Sequence, residues 1–321
     1  MDEKDTKRPL IILTGPTAAG KTALSVRLAQ AVGGEIISAD SMQVYRRMDI
    51  GSAKILPAER KNVPHHLIDV LEPTEDFNVV RFQQMVKEIL PDIYERGKIP
   101  ILTGGTGFYI QAVLYDIDFT ENEENPAYRL QLEQLAAKKG PAFLHDMLRE
   151  VDEASAEAIH ENNVKRVIRA LEFYHLTGRK ISGHNENERG KAAAYDACYF
   201  VLNDDRQRLY ERIEQRVDAM LSAGLVEEVA SLRAEGCTKE MVSMQGLGYK
   251  EILSYLEGEI PLERAVYLIK RDTRHFAKRQ LTWFRRERDV IWVSKEAFHY
   301  DEDAILQFMI EKTEGIRGNR T

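Results

Sequence analysis

The sequence predicts an α/β fold, in which a parallel sheet carries helices on both faces, joined to an all-helical insertion. Two observations predict the sheet. Short apolar runs alternate with segments of helical periodicity, which is the pattern of strand–helix–strand units. A glycine-rich turn directly follows the first apolar run. The insertion is predicted because residues 125–177 have helical periodicity without a strand signal.

The predicted elements can be justified in order along the chain. Pro9–Thr14 is a continuous apolar run, as expected of a parallel strand buried on both faces. The further predicted strands are Glu35–Ser38, Pro100–Thr103 and Tyr199–Leu202. The predicted helices outside the insertion lie in 23–31, 79–96 and 205–288. Gly140-Pro141 and Gly178 should end helices within the insertion, because glycine and proline interrupt helical periodicity.

The length of 321 residues fits about two domains. We expect one domain from 1–118 and 198–321, with a sheet core and a helical C-terminal part. The second is the insertion, 119–197. Two cysteines are too few for a disulfide framework or a metal cluster, and no apolar run is long enough to span a membrane. With no signal peptide visible, we expect a soluble cytoplasmic protein without a membrane partner.

The distribution of charge points to a partner. The net charge of −7 argues against non-specific nucleic-acid binding. Residues 264–288, however, hold nine lysines and arginines against two acidic residues. Such a stretch either faces an anionic partner or forms a solvated helix surface, and charge alone does not decide between them.

The glycine-rich turn carries the sharpest motif. It matches G-x-x-x-x-G-K-[ST] and lies between a predicted strand and a predicted helix, so the sheet is predicted to be P-loop NTPase-like. Backbone amides of such a loop and the positive end of the following helix bind phosphate oxygens, the lysine adds a charge, and the hydroxyl can ligate Mg²⁺. The predicted diphosphate-binding residues are Gly15, Pro16, Thr17, Ala18, Ala19, Gly20, Lys21 and Thr22. A nucleoside triphosphate is the usual ligand, but any diphosphate could fit.

The other motif expected of an NTPase, an apolar strand that ends in an acidic residue, is not evident in the sequence. The apolar strand that should end in an acid ends instead in Thr103-Gly104-Gly105, and Ile68-Asp69 is a weak substitute. One carboxylate, Asp40, follows the second predicted strand. Because ligands of open α/β sheets bind beyond the carboxyl ends of the strands, Asp40 should lie near Lys21 and serve as Mg²⁺ ligand or general base. A simple turn or N-cap role is the alternative.

With these two motifs the sequence resembles the tRNA dimethylallyltransferases, also called tRNA isopentenyltransferases. The phosphate loop and the segment Asp40-Ser-Met-Gln-Val-Tyr-Arg46 are similar to that family, and further matches follow in order up to about residue 288. These are Gly104–Tyr109, Lys165–Glu172, Arg212–Val217, Gln245–Lys250 and Thr273–Phe284. The absence of Cys/His pairs at zinc spacing resembles the bacterial form.

The resemblance implies transfer of a dimethylallyl group from dimethylallyl diphosphate to N6 of adenosine 37, beside the anticodon, in tRNAs that read U-initial codons. It implies catalytic roles for Asp40 as base, for Arg216 and Lys21 on the leaving diphosphate, and for Thr22 as ligand of the cofactor Mg²⁺. From spacing alone, Arg212 and Arg216 share one helix flank and could equally make surface contacts. Asp204-Asp205 are predicted to cap a helix, because the third acid of a D-D-x-x-D metal motif is missing.

The partner implied is the anticodon stem-loop of tRNA, bound by the insertion and by segments of the core. The residues expected to contact tRNA are Asp40, Ser41, Met42, Gln43, Thr106, Arg129, Lys165, Arg166, Val167, Ile168, Arg169, Gln245, Gly246, Leu247, Gly248, Tyr249 and Lys250. The protein is expected to be a monomer. Three other functions stay open: a P-loop kinase of a small metabolite or nucleoside, an adenylate isopentenyltransferase, and a non-catalytic RNA-binding protein.

Overall fold

The computed structural model describes residues 7–119 and 126–317. The chain forms two compact units, one of 1–114 with 194–321 and the other Tyr115–Ala193. The predicted insertion, 119–197, begins and ends four residues later than the second unit.

A parallel sheet forms the centre of the first unit. Within the described residues it has six strands: β1 (Pro9–Thr14), β2 (Gly34–Ser38), β3 (His65–His66), β4 (Ile99–Gly104), β5 (Asp196–Asn203) and β6 (Val290–Ser294). Their order is β3-β2-β4-β1-β5-β6. The registers pair Thr14 with Gly104, and Ser38 with Thr103, so the carboxyl ends of β1, β2 and β4 meet at one edge.

Helices connect and cover these strands. In the first unit they are α1 (Lys21–Val32), α2 (Val79–Glu95), α3 (Gly107–Leu114), α9 (Arg206–Ser222), α10 (Leu225–Ala234), α11 (Tyr249–Leu256), α12 (Leu262–Phe284) and α13 (Glu302–Arg317). Short 3₁₀ turns occupy Pro57–Arg60, Ser243–Gln245 and Glu296–Phe298.

Both faces of the sheet are buried, as the apolar runs predict. Ile11 and Leu13 point into a core that also contains Leu24 of α1 and Met309 of α13. The alternate side chains of β1, such as Ile12, are equally buried outside that core. Because successive side chains of a strand point to opposite faces, helices must cover both sides. The predicted α/β fold is therefore confirmed.

Several elements lie outside the predicted segments, among them β3, β6, α3, α8 and α13. β3 is only two histidines long and pairs at the sheet edge, so it has no apolar run to reveal it. β6 pairs with β5 and follows the basic stretch directly, and α13 packs on the sheet through Ile305 and Met309. Their signals are short or weakly periodic, and only the tertiary contacts define them.

The second unit is helical, as predicted. It contains α4 (Pro126–Lys139), α5 (Pro141–Val151), α6 (Glu153–Ala158), α7 (Val164–Thr177) and α8 (Ile181–Gly190). Gly140 separates α4 from α5, and Gly178 ends α7 in the left-handed conformation at φ 68°. The buried carboxylate of Asp152 accepts hydrogen bonds from the backbone and hydroxyl groups of Ser155 and Ser182, which ties α6 to α8. None of the described helices is long and apolar enough to cross a membrane.

Candidate functional site

The phosphate loop runs from Gly15 to Thr22 and connects β1 to α1. Gly15 has φ +140°, and a Cβ at this position would lie 2.5 Å from the carbonyl oxygen of Leu202 in β5. A side chain is therefore excluded both by conformation and by space. Gly20 precedes α1 at φ 94° without a side-chain cap, so the first amides of α1 are open to a ligand anion.

Lys21 begins α1 and folds back over the loop. Its ammonium donates hydrogen bonds to the carbonyls of Gly15 and Pro16 at 2.9 and 2.8 Å. The pKa of Lys21 is lowered to about 7, mainly by burial and also by the charge of Arg216, while the carboxylate of Asp40 opposes both effects. A lysine held in this way is poised to gain charge when an anion binds.

Arg216 reaches the same loop from α9. Its guanidinium donates to the hydroxyl of Thr17 at 3.5 Å. Burial lowers the pKa of Arg216, an effect that Asp40 opposes and Arg212 reinforces. Arg216 thus faces the phosphate loop. Its neighbour one turn earlier, Arg212, pairs with the buried carboxylate of Asp204 at 3.4 Å and also lies beside the loop, since a Cβ on Gly20 would be 3.4 Å from its guanidinium.

Asp205 caps the helix that carries Arg216. Its carboxylate accepts hydrogen bonds from the backbone of Gln207 and Arg208. The predicted capping role is confirmed for Asp205. Asp204 differs, because it lies buried and neutralises Arg212 rather than capping the helix.

Asp40 lies just past the end of β2, where the sequence places it. Its Oδ1 accepts hydrogen bonds from the backbone of Met42 and Gln43 at 2.8 and 3.3 Å, which fixes the turn. The same carboxylate acts electrostatically on both Lys21 and Arg216. Asp40 therefore both stabilises the turn after β2 and acts on the charged groups of the phosphate loop.

Gln43 is held by its side chain rather than left on the surface. Ser38 donates to its Oε1 at 3.1 Å, and its Nε2 donates to the carbonyl of Ser52 at 3.3 Å. Ser41 and Met42 are half-buried beside it. The Asp40–Gln43 turn thus has a defined shape.

Thr106 belongs to the turn between β4 and α3. Its backbone amide donates to the carbonyl of Ala39 at 3.3 Å, which places the turn beside Asp40. The Thr106 side chain is half-buried. These contacts bring the phosphate loop, Asp40 and Thr106 to one edge of the sheet, as expected from the strand ends.

The 245–250 segment abuts the Asp40–Gln43 turn, because a Cβ on Gly246 would lie 2.6 Å from the sulfur of Met42. Gln245 is exposed, Leu247 and Lys250 are half-buried, and Gly248 is buried. The contact of Tyr249 with tRNA stays a prediction. Its side chain is fully buried and its hydroxyl donates to Glu228 at 2.7 Å, so it supports the segment from below.

Glu228 of α10 is a structural centre that the sequence analysis missed. Its carboxylate accepts hydrogen bonds from the backbone amides of Asp49, Ile50 and Gly51, in addition to the hydroxyl of Tyr249. A glutamate in an amphipathic helix gives no local signal of such a role. It stabilises the loop whose carbonyls hold Gln43.

The insertion residues predicted to contact tRNA fall into two groups. Lys165 and Arg166 are exposed on α7, and Arg169 is half-buried. The side chains of Val167 and Ile168 are buried in the helical core, so their contact with RNA would involve the backbone and stays a prediction. Arg129 of α4 forms a two-point ion pair with the buried carboxylate of Glu172, at 3.0 and 2.7 Å, and so stabilises the unit.

The cations of α12 also fall into two groups. Nearer its N-terminal end, Lys270, Arg271 and Arg274 each pair with an acidic residue at 2.5–2.8 Å. In its second half the exposed side chains of Lys278 and Arg279, and of Arg286 just beyond the helix, form no ion pair with any residue in 7–119 or 126–317. These three line a cleft of about 420 Å³ together with His275, Thr282 and Trp283.

The cleft adjoins the edge of the sheet that holds the phosphate loop, Asp40 and Thr106. The indole of Trp283 lies against the turn that contains Thr106, since a Cβ on Gly107 would be 2.3 Å from it. Trp283 also meets the ring of Phe108 edge to face, at 6.2 Å between centroids, and Phe108 is exposed. Basic side chains beside accessible aromatic rings suit a nucleic acid, whose phosphates and bases they can bind together.

The residues around the phosphate loop could also hold Mg²⁺. Thr22 lies exposed in the first turn of α1, and the carboxylate of Asp40 acts electrostatically on the adjacent Lys21. No cluster of three or more His, Cys, Asp or Glu suited to a metal occurs among the residues that the structure describes. This donor set fits Mg²⁺, which keeps several waters and binds through a hydroxyl or carboxylate plus substrate phosphates.

Comparison with known proteins gives a consistent result. The family model of IPP transferase matches residues 43–287, and that of isopentenyl transferase matches residues 9–72. The tRNA dimethylallyltransferase of Lachnoclostridium phytofermentans is 60% identical over 307 residues, which cover 96% of this chain and 98% of the relative. That of Carboxydothermus hydrogenoformans is 53% identical over 283 residues, or 88% of this chain and 91% of the relative.

Solved structures agree. The tRNA isopentenylpyrophosphate transferase of Bacillus halodurans superposes with a TM-score of 0.72 at 42% identity, covering 97% of this chain and 99% of that one. A eukaryotic dimethylallyltransferase acting on tRNA gives a TM-score of 0.77 at 31% identity, covering 89% of this chain and 74% of that one. The chain therefore belongs to the IPP transferase family, the tRNA dimethylallyltransferases.

Proposed function

We propose that this protein transfers a dimethylallyl group from dimethylallyl diphosphate to N6 of adenosine 37 in tRNAs that read U-initial codons, with release of diphosphate. One observation carries the proposal. The phosphate loop is faced by Arg216 and Asp40, while β4, the neighbour of β1, ends in Thr103 and Gly104 without a carboxylate. This edge of the sheet can stabilise a leaving diphosphate. The strand next to β1 lacks the carboxylate that usually ends this strand in an ATPase.

The bond changes assign a role to each side chain. The N6 nitrogen attacks C1 of the dimethylallyl group as the bond between C1 and the diphosphate oxygen breaks. The negative charge that develops on the diphosphate is stabilised by Lys21, Arg216 and the amides of the loop. The proton lost from N6 passes to the carboxylate of Asp40, which the backbone of Met42 and Gln43 holds in place.

Thr22 would hold Mg²⁺ jointly with the diphosphate, and the ion would supply further charge neutralisation there. The exposed position of Thr22 at the start of α1 supports this assignment.

A tRNA substrate explains the exposed basic side chains described above, which a small acceptor would not contact. Exposed cations without an acidic partner in the described chain surround the cleft beside Trp283, and Lys165 and Arg166 are exposed on α7. Phosphates would neutralise these charges, and the target adenine must leave its stack to reach Asp40. Single-stranded loops permit such unstacking at low cost.

A monomer in the cytoplasm fits this activity. Lys21, Asp40, Thr106 and Arg216 all belong to the first unit of a single chain. Cys198 and Cys237 are buried free thiols, as is usual in a reducing compartment.

The experiment supplies radiolabelled dimethylallyl diphosphate with unmodified tRNA or AMP in separate reactions. We expect label in tRNA at adenosine 37 and none in AMP. Label in AMP would indicate the adenylate enzyme instead. Turnover of ATP with a small acceptor, without transfer from the prenyl donor, would support the kinase and refute the proposal.

A further inference from the structure

Gln280 of α12 joins two loops of the active site through its amide group. Its oxygen accepts a hydrogen bond from the backbone amide of Thr17 at 2.9 Å, and its nitrogen donates to the carbonyl of Gly105 at 2.9 Å. The side chain is only 5% exposed. It therefore connects the phosphate loop to the β4–α3 turn in the protein interior.

Each end of this bridge leads to a group with a role in the proposed reaction. On one side, Thr17 carries the hydroxyl to which Arg216 donates. On the other side, Gly105 precedes Thr106, whose amide donates to Ala39, the residue before Asp40. The side-chain amide of Gln280 thus connects the loop that would bind diphosphate with the turn next to Asp40, the proposed general base.

An amide suits this position because one end must accept and the other must donate. A carboxylate at the same place would retain one oxygen as acceptor for Thr17, but its second oxygen would face the carbonyl of Gly105 with no hydrogen to donate. It would also add negative charge beside the loop that binds diphosphate. By accepting from Thr17, Gln280 also fixes which amides of the loop remain for the phosphate oxygens.

The turn is shaped to this side chain. A Cβ on Gly105 would lie 2.2 Å from the amide nitrogen of Gln280, so any larger residue displaces the glutamine. The space that Gly105 leaves open is the space that Gln280 fills.

We propose that Gln280 is a positioning residue that sets the distance between the diphosphate-binding loop and the Asp40 side of the active site during prenyl transfer. The inference rests on the proposed function and deepens it. A displacement of about 1 Å between reacting groups costs about 100-fold in rate, so the bridge should act on kcat.

The first test replaces Gln280 with Leu, which retains much of the volume, and with Glu, which retains one acceptor. We expect Gln280→Leu to lower kcat about 10- to 100-fold, while the Kd for tRNA stays within about twofold of wild type, because the residue is buried. Gln280→Glu should also raise the KM for the prenyl donor through charge repulsion. Gln307→Leu on α13, where an exposed glutamine donates to Glu311, is the matched control and should be unchanged.

The second test separates positioning from loss of packing. Gly105→Ala should lower kcat about tenfold or more in the wild-type background, because the methyl group displaces Gln280. In a Gln280→Ala background the clash is absent, and the same change should cost less than about twofold.

The outcomes are distinct. A kcat within twofold of wild type for Gln280→Leu would overturn the positioning role. So would a Gly105→Ala change that lowers kcat by the same factor in the wild-type and Gln280→Ala backgrounds. A wild-type enzyme that transfers no prenyl group to tRNA would refute the proposed function itself, and that result is obtained before any variant is compared.

Discussion

The hydroxyl of Tyr249 donates a hydrogen bond of 2.7 Å to the carboxylate of Glu228. The same carboxylate accepts hydrogen bonds from the three consecutive backbone amides of residues 49–51. Burial raises the pKa of Tyr249 far above its usual range, so the hydroxyl stays protonated and remains a donor. One carboxylate thereby joins α10, α11 and the 49–51 loop.

This arrangement predicts the stability of two variants. Tyr249→Phe removes one donor and should lower the free energy of unfolding by about 1 kcal/mol. Glu228→Gln should cost more, about 2–3 kcal/mol, because an amide nitrogen would then face backbone donors. Urea denaturation measures both. Tyr267→Phe on the exposed face of α12 is the control, and equal stability of all three variants would contradict the role of Glu228.

A second prediction concerns the pH dependence of donor binding. The pKa of Lys21 is about 7 because of burial and Arg216, so the side chain loses its charge as pH rises above 7. Bound diphosphate favours the charged form, so binding above pH 7 must take up a proton. Affinity for the prenyl donor should therefore fall by up to about tenfold per pH unit between pH 7.5 and 9.

Calorimetry in buffers of different ionisation enthalpy measures this proton uptake directly. Lys21→Arg provides the control, since arginine stays charged throughout this range. The pH slope of the variant should be flatter than that of wild type. Parallel slopes would show that Lys21 does not titrate on binding.

The third prediction tests the base. Asp40→Asn keeps an oxygen to accept from Met42 and Gln43, so the turn should persist, but the side chain can no longer take the proton from N6. Single-turnover transfer should slow by about 10²- to 10⁴-fold. Binding of tRNA should change little, and Asp40→Ala should add only the loss of the turn contacts. A nearly normal single-turnover rate for Asp40→Asn would remove Asp40 from the mechanism.

The contrast between Asp40 and Gln280 shows how far sequence reasoning reaches. The phosphate loop and Asp40 could be predicted because each follows a strand directly, and parallel strands end at one edge. Gln280 lies 263 residues from Thr17, and only the packing of α12 brings the two together. The burial of Val167 and Ile168 follows from the apolar periodicity of α7, whereas the burial of Tyr249 depends on Glu228 from another helix.

The last prediction concerns the two groups of cations on and beside α12. Lys278, Arg279 and Arg286 have no acidic partner in the described chain and should contact tRNA phosphates. Each phosphate contact contributes about −0.7 to −0.9 to the slope of log K against log salt. Changing all three to Gln should weaken tRNA binding and flatten that slope by about two to three.

The paired cations of the same helix are the matched comparison. Lys270, Arg271 and Arg274 are already neutralised by Asp218, Asp272 and Glu214. Their replacement by Gln removes the same formal charge but should leave the salt slope almost unchanged. If both triple variants flattened the slope equally, binding would follow the net charge of the helix, and the cleft beside Trp283 would have no special part in holding RNA.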